Sequence, residues 1–177
     1  NEAIYQAFRA LCDEFFAAKK NFSKDQQNRM TSGVYELGST FKPINMALAL
    51  QEKAIDPQGT ANDVGQLNIG GWPIFNNDRS AYGVIDFPTV LQVSSNVAMV
   101  EAMSRMKRDR FWSWLHTIGI DAMPDTDLPG AVAGQLKSRN EFVGAAIEPA
   151  VASFGQGFSL TPLKLIQLHG MLANGGR

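Results

Sequence analysis

The 177 residues suffice for one domain, or for one domain with a small lobe, and 45% hydrophobic with 19% charged residues is typical of a globular protein with a buried core. The formal net charge of -1 excludes the basic field expected of proteins that bind nucleic acid or anionic membranes. No apolar run reaches membrane-spanning length and no signal peptide opens the chain, so we expect any anchor or export signal of the parent protein to lie outside this sequence.

An amphipathic helix is predicted over about residues 2–19. Apolar residues recur at helical spacing along one face, namely Ile4, Phe8, Leu11 and Phe15. Cys12, the only cysteine, lies in this helix, so an internal disulfide is excluded and a buried, inert thiol is expected.

A second helix is predicted from Ser39 to about Ala54, where an Asp-Pro pair stops it. The segment is apolar almost all round, which indicates a buried central helix. It opens with the run Gly38-Ser39-Thr40-Phe41-Lys42-Pro43. In that run the glycine permits a sharp turn, the serine suits a helix start, and the proline falls in the first turn.

The start of this helix carries a candidate nucleophile. Ser39 and Lys42 are three residues apart, so on a helix they share a face and can touch. A lysine amine whose pKa is lowered by burial or by a second cation can accept the hydroxyl proton. The helix dipole and the first backbone N–H groups favour a developing oxyanion. Ser-x-x-Lys alone is a weak signal, because a chain of this length contains such spacings by chance.

Short elements follow. Residues 56–66 are predicted to form a loop. Leu67-Asn68-Ile69 and Trp72–Phe75, joined by two glycines, predict a short hairpin, which Pro73 confines to a sheet edge. Phe87-Pro88-Thr89 predicts the start of a short helix that reaches about Gln92.

A second polar pair, Ser94-x-Asn96, follows that short helix. Residues two apart in a loop can present both side chains to one cleft, where a hydroxyl can relay a proton and an amide can bind a lysine and a substrate carbonyl. Alone, the pair is weaker than Ser-x-x-Lys, and a loop or cap role is the default. The helix predicted over about 97–107 places three methionines on one face as core filling, Met99, Met103 and Met106.

The C-terminal half is predicted to be mainly helical. Asp109 is expected to cap one helix, and Ser138 with Glu141 has capping-box spacing for another. Thr161-Pro162 predicts the start of a last helix, which Asn174-Gly175-Gly176 ends.

No metal site or cofactor is indicated. His116 and His169 are far apart in sequence, and no cysteine or paired histidine stands at ligand spacing. Three aspartates at positions 121, 125 and 127 lack the spacing of a calcium loop, so capping and turn roles are expected.

Together and in this order, the motifs resemble the penicillin-binding proteins. Asn28-Arg29 followed by Tyr35-Glu36-Leu37-Gly38-Ser39-Thr40-Phe41-Lys42-Pro43 closely resembles the active-site entry of that family. Val93-Ser94-Ser95-Asn96-Val97 resembles its second motif. Ala152-Ser153-Phe154-Gly155-Gln156-Gly157, with Thr161-Pro162-Leu163, resembles the segment that leads to its third. The match runs from about Asn21 to Arg177 and is most similar to the division-type, monofunctional (class B) transpeptidases.

The resemblance implies a mainly α fold, namely the helical lobe of a penicillin-binding-protein/serine β-lactamase-like α/β transpeptidase fold, with one short β-hairpin and most of the sheet missing. Residues 1–20 would form the N-terminal helix of the transpeptidase domain. Residues 21–177 would form the helical lobe that carries the nucleophile helix and the Ser-x-Asn loop.

The implied function is that of a peptidoglycan D,D-transpeptidase of bacterial septal cell-wall synthesis, which needs no cofactor. Ser39 would be acylated by the penultimate D-Ala carbonyl of a stem peptide, or by a β-lactam, with Lys42 as general base, an assignment that is disputed within this superfamily. Ser94 would assist proton transfer to the leaving group, and Asn96 would position Lys42 and the substrate amide. Gly155-Gln156-Gly157, predicted to be a tight loop, would contribute to substrate binding.

The implied partners are peptidoglycan stem peptides, β-lactams and other division proteins. The family acts at the outer, periplasmic face of the bacterial inner membrane, so the same place is implied for this chain, with the anchor outside this sequence.

Two parts of the family pattern are not found. The third motif, Lys-Thr/Ser-Gly on a strand beside the serine, has only a superficial match in Lys137-Ser138-Arg139. The front β-hairpin is also missing, because Lys19-Lys20 runs almost directly into Asn21-Phe22-Ser23. The third-motif strand supplies an oxyanion N–H in this family, and one such donor is worth on the order of 10²–10³ in rate. We therefore expect a poor enzyme alone, either truncated or dependent on another chain for the sheet.

Two other functions stay open. One is a non-catalytic helical scaffold or partner-binding module, derived from a penicillin-binding protein, that leaves Ser39 unreacted. The other is a β-lactamase or β-lactam sensor, which shares Ser-x-x-Lys, although the division-type flanks argue against it and no firm deacylating glutamate is found. Covalent labelling of Ser39 separates the transpeptidase from the scaffold, and turnover of the β-lactam would indicate the β-lactamase.

Overall fold

The computed structural model describes residues 28–176. The helices are α1 (Arg29–Ser32), α2 (Lys42–Gln51), α3 (Phe87–Gln92), α4 (Asn96–Ser104), α5 (Arg108–Thr117), α6 (Arg139–Gly144), α7 (Ile147–Ala152) and α8 (Pro162–Ala173). The strands are β1 (Thr60–Asp63), β2 (Gln66–Ile69), β3 (Trp72–Phe75) and β4 (Gly83–Asp86), and a 3-10 helix, Gly38–Phe41, precedes α2. The predicted N-terminal helix and Cys12 lie outside the described residues. So does the segment around residues 19–23, where the family's front hairpin is not found in the sequence.

The described part of the chain is mainly helical with two small antiparallel sheets, which confirms the predicted fold class. Strands β2 and β3 form the predicted hairpin, in which Ile69 pairs with Trp72. The two glycines between them adopt φ values of 60° and 89°, a left-handed conformation that favours glycine. Pro73 is tolerated because the sheet has only these two strands, so both are edges.

The sequence-based prediction of a loop over residues 56–66 is wrong, and a second two-stranded sheet is present that the sequence did not predict. Strand β1 lies within that segment and pairs with β4, Thr60 opposite Asp86 and Asp63 opposite Gly83. The inward-facing residues of β1 are Ala61 and Asp63, both buried. A strand whose buried face carries an alanine and a carboxyl group has no hydrophobic alternation to reveal it.

The core lies around α2 and α4. Ile44, Leu48 and Ala49 of α2 are buried, which confirms the predicted central helix, although it ends at Gln51 and not near residue 54. The three methionines predicted to fill the core are at most 5% exposed. None of the helices within residues 28–176 combines the length and the apolar character needed to cross a bilayer.

Helix caps follow local sequence signals at most positions. The predicted capping box of Ser138 and Glu141 is present, and Thr161 caps α8 by accepting a hydrogen bond from the backbone N–H of Lys164. The cap predicted at Asp109 is wrong, because α5 begins at Arg108 and its N-cap is Lys107, two residues before the predicted cap. Asp109 instead lies in the first turn, where its carboxylate interacts favourably with the positive end of the helix dipole. It also forms an ion pair with Arg139.

Candidate active site

A cavity of about 380 Å³ opens where the start of α2, the α3–α4 loop and the loop after α7 meet. Its lining residues are Gly38, Ser39, Asn77, Asp78, Val93, Ser94, Asn96, Phe154 and Gln156. Three of the four residues predicted to be catalytic therefore face one space. The fourth, Lys42, lies behind the cavity and is only 2% exposed.

Ser39 lies in the 3-10 helix and not in the predicted α-helix, which begins at Lys42. Gly38 adopts a φ of 55°, and its backbone N–H donates to the carbonyl of Gly155 at 3.0 Å. Phe41 is fully buried and packs edge-on against Phe158, with 4.8 Å between ring centroids. This anchoring on both sides leaves the Ser39 side chain exposed toward the cavity.

The Lys42 ammonium is held by the α3–α4 loop. Nζ donates to the backbone oxygen of Ser94 at 2.5 Å, to Ser94 Oγ at 3.0 Å and to Asn96 Oδ1 at 2.8 Å. These three acceptors account for all three N–H groups of the ammonium. The spacing allows Ser39 and Lys42 to touch, but the described residues show no hydrogen bond between these two side chains.

Burial lowers the pKa of Lys42 from 10.5 to about 8. The cause is desolvation, which disfavours the charged amine. The three groups that accept its hydrogen bonds are neutral, so among residues 28–176 no carboxylate at hydrogen-bond distance offsets this effect. About half of the amine is therefore unprotonated near pH 8, in the form that proton abstraction requires.

Ser94 and Asn96 reach Lys42 from a strained junction between α3 and α4. Ser94 has a φ of 55°, an uncommon value for a residue other than glycine, and this conformation directs both its oxygens toward Nζ. Asn96 is the first residue of α4, and its Nδ2 donates to the backbone oxygen of Phe75 at 2.9 Å. The loop is thus connected to the β2–β3 hairpin.

The loop predicted over Gly155-Gln156-Gly157 is tight, with φ values of 85° and 77° at its two glycines. Gln156 lines the cavity, whereas the two glycines shape the loop without lining it. Asn45 of α2 holds the adjoining chain, because its Nδ2 donates to the carbonyls of Ala152 and Ser153.

Four cavity residues were given no role in the site by sequence reasoning, namely Asn77, Asp78, Val93 and Phe154. Asn77 and Asp78 follow β3, and Phe154 precedes the glycine loop. A hydrogen bond from Tyr82 holds the pKa of the Asp78 carboxyl below its usual range, so it is ionised at the cavity wall. The Asn-Asn-Asp run is a turn signal that could have been noticed, but only the fold shows that this turn borders Ser39. Within residues 28–176, no three His, Cys, Asp or Glu side chains converge as metal ligands.

Comparisons with known proteins agree on one family. The model of the penicillin binding protein transpeptidase domain matches residues 14–177. A peptidoglycan D,D-transpeptidase FtsI homolog from Chlorokybus atmophyticus is 46% identical over 154 residues, which cover 81% of this chain and 23% of that protein. A homolog of the same name from Mesostigma viride is 40% identical and covers 81% of this chain and 25% of its own length. This chain therefore spans about a quarter of these curated relatives.

Among solved structures, the TP domain of penicillin-binding protein 3 from Burkholderia pseudomallei superimposes with a TM-score of 0.78 at 30% identity. The superposition covers 85% of this chain and 44% of that one.

Proposed function

This chain belongs to the penicillin-binding protein transpeptidase family, and from that premise we propose that it carries part of the active site of a peptidoglycan D,D-transpeptidase that reacts through an acyl-serine at Ser39. The predicted resemblance to class B penicillin-binding proteins is confirmed by the family model and by the relatives. The acyl-serine mechanism and the roles of individual residues are proposals.

One observation carries the proposal: the buried Lys42 amine is hydrogen-bonded to Ser94 and Asn96, and both of these line the same cavity as the exposed Ser39. Desolvation without a compensating carboxylate produces an amine that can act as a base near neutral pH. A purely structural lysine would gain more from an ion pair or from solvent. Lys42 is therefore assigned the role of general base.

Acylation then proceeds in balanced steps. The Ser39 oxygen attacks the penultimate D-Ala carbonyl of a stem peptide while its proton passes to Lys42 Nζ. Ser94 Oγ, 3.0 Å from Nζ, relays a proton to the leaving amine as the C–N bond breaks, and an ester remains on Ser39. An amine from a second stem peptide then attacks this ester and gives a proton to Lys42 Nζ. The bond between the acyl carbon and the Ser39 oxygen breaks, that oxygen takes the proton back, and the crosslink forms. Asn96 accepts a hydrogen bond from Lys42, and its proposed second role is to contact the substrate amide.

The partners and the place of action follow from the same proposal. Peptidoglycan stem peptides and β-lactams are the proposed ligands, other division proteins the proposed partners, and the periplasmic face of the bacterial inner membrane the proposed location. The chemistry needs no cofactor, since serine, lysine and backbone donors suffice.

The reactivity of Ser39 in this chain is proposed to be low. No Lys-Thr/Ser-Gly triplet occurs in the 177 residues. If the family's third-motif donor is not supplied, the developing oxyanion loses one hydrogen bond, which typically costs on the order of 10²–10³ in rate.

Incubation with a reactive penicillin is expected to add the mass of the drug to this chain, slowly and at one site. Intact-mass spectrometry over hours detects the adduct, and peptide mapping places it on Ser39. The Ser39→Ala variant is the control and should remain unmodified. A folded chain that gains no mass would contradict the acyl-serine proposal, and release of hydrolysed penicillin would indicate a β-lactamase instead.

The acylation rate is expected to rise with pH and to level off above about pH 8, because only the unprotonated Lys42 accepts the Ser39 proton. Below this value the rate should change by about tenfold per pH unit, as the neutral fraction does. Quenched-flow or timed mass measurements between pH 6 and 9.5 give the profile, with near-ultraviolet circular dichroism confirming the fold at each pH. A profile that is flat or that falls across pH 8 would argue against Lys42 as the base.

The alternative, a non-catalytic helical scaffold or partner-binding module, is favoured by one contact pattern. Lys42 donates all three hydrogen bonds to Ser94 and Asn96 and none to Ser39. Such an arrangement could simply join α2 to the α3–α4 loop. The adduct experiment separates the two functions, because a scaffold leaves Ser39 unreacted.

A further inference from the structure

A cluster of three buried polar side chains lies directly behind the Ser94-x-Asn96 loop. Asp63 ends β1, Asn76 follows β3 and Ser95 is the N-cap of α4. Their exposed fractions are 0%, 3% and 0%. Three polar side chains from separate segments are rarely buried together unless each is hydrogen-bonded.

The Asp63 carboxylate is the centre of the cluster. Its Oδ2 accepts hydrogen bonds from Ser95 Oγ at 2.6 Å and from Asn76 Nδ2 at 2.7 Å. Its Oδ1 accepts from the backbone N–H of Gly65 at 2.8 Å. Hydrogen bonds to a carboxylate are stronger than neutral ones, so Asp63 fixes the positions of both side chains.

Asn76 and Ser95 in turn satisfy the start of α4. Asn76 Oδ1 accepts from the backbone N–H groups of Asn96 at 2.8 Å and Val97 at 3.1 Å. Ser95 Oγ accepts from the N–H of Ala98 at 2.8 Å. The first N–H groups of a helix have no partner within the helix, and a single capping side chain usually satisfies one of them. Here two linked side chains satisfy three of these backbone N–H groups.

A helix start does not require this many buried hydrogen bonds. The location of the cluster suggests what else it does. Ser95 stands between Ser94 and Asn96, the two residues that hold Lys42 Nζ. Ser94 also has a φ of 55°, a conformation that persists when the surrounding structure over-determines it. Movement of Ser95 would displace both neighbours together.

We propose that Asp63, Asn76 and Ser95 are positioning residues that hold Ser94 and Asn96 against the Lys42 amine and keep water away from it. This inference rests on the proposed function for one point only, namely that Lys42 acts as the base. The set of three residues is called the buried clamp below. It acts on the reaction through Lys42 and touches no substrate.

The charges around the amine decide which substitutions are informative. Charged or titratable side chains on the elements packed around Lys42 are Asp63 on β1, Asp78 and Arg79 after β3, Asp86 and Glu101 at α3 and α4, and Lys164 and His169 on α8. Replacing Asp63 would remove a negative charge and lower the Lys42 pKa by itself. Substitutions of Ser95 and Asn76 leave every charge unchanged, so they report positioning alone.

The test is a titration of Lys42 by NMR, with ¹³Cε-labelled lysine and the Lys42→Arg variant to assign the resonance. Ser95→Ala is expected to raise the Lys42 pKa from about 8 by about one unit, because water reaches a loosened amine. Asn76→Ala should shift it in the same direction. Ser95→Thr, which keeps the hydroxyl, should leave the pKa near 8.

Thr161→Ala is the matched control. Thr161 is also fully buried and also caps a helix through its hydroxyl, but that hydroxyl accepts from the backbone N–H of Lys164 and not from the residues that hold Lys42. Its replacement should lower the melting temperature as Ser95→Ala does, without changing the Lys42 pKa.

An unchanged Lys42 pKa in folded Ser95→Ala and Asn76→Ala would overturn the buried clamp as a positioning device. The same holds if Thr161→Ala shifts the pKa equally. Should Ser95→Ala not fold, Ser95→Gly, which retains more of the capping stability, gives the same readout. The titration does not depend on acylation of Ser39. A missing penicillin adduct would therefore contradict the proposed function, while the Lys42 titration would still show whether the buried clamp positions the amine.

Discussion

Lys42→Met is expected to lower the rate of Ser39 acylation by about 10²–10⁴-fold, the usual contribution of a positioned general base. Methionine fills nearly the same volume but cannot accept a proton. The three groups that now accept from Nζ would remain, so the cavity wall keeps its residues. The expected loss therefore reports chemistry, provided that circular dichroism and the melting curve show a folded variant. Timed intact-mass measurement at pH 8.5 with a reactive penicillin gives the rate.

Lys107→Met is a suitable control for this substitution. Lys107 is exposed at the start of α5 and its side chain makes no capping hydrogen bond. Its replacement should leave acylation within about twofold, as expected for a surface position away from the site. If Lys42→Met reacts as fast as the parent chain, Lys42 is not the base and Ser39 is activated by another group.

Gly155→Ala is expected to lower the free energy of unfolding by about 3 kcal/mol or more, from backbone strain and steric overlap together. A Cβ at this position would overlap the carbonyl oxygen of Gly38 and would lie 3.0 Å from Phe41 Cβ. The residue also has a φ of 85°, which side chains rarely adopt. Because Gly38 precedes Ser39, relief of this overlap is expected to displace Ser39, so the proposed acylation should slow as well. Urea denaturation measures the stability loss.

Alanine substitutions at two other glycines separate the cost of backbone strain from the cost of steric overlap. Gly70→Ala, at a φ of 60° with nothing within 4 Å of the added Cβ, should cost about 1–2 kcal/mol from strain alone. Gly144→Ala, in α6 with equally open space and no left-handed φ, should be neutral or should stabilise by about 0.5–1 kcal/mol. Equal losses for Gly155→Ala and Gly70→Ala would show that the close approach to Gly38 is relieved at no cost.

Local signals in the sequence predicted the features that local chemistry controls. The capping box at Ser138, the helix start at Thr161-Pro162 and the glycine turn of the β2–β3 hairpin each depend on residues within four positions of one another. The apolar character of α2 likewise predicted its burial without knowledge of its neighbours. These predictions succeeded because no distant contact competes with them.

Distant contacts decided the features that the sequence did not reveal. Strand β1 exists because β4, some twenty residues later, pairs with it. Ser39 lies in a 3-10 helix next to a backbone contact between Gly38 and Gly155, far apart in sequence. The N-cap of α5 is Lys107, two residues before the predicted Asp109, whose carboxylate pairs with Arg139 of α6.

The candidate site shows the same division. By itself, the sequence determined which residue types are present and in what order: a serine three residues before a lysine, then a serine two residues before an asparagine. Only the tertiary structure decided that Lys42 is buried, that its partners are Ser94 and Asn96, and that Asp63 lies behind them. The physical reason is that the pKa of an amine depends on the water it loses and on the acceptors it meets, and segments far apart in the chain supply both.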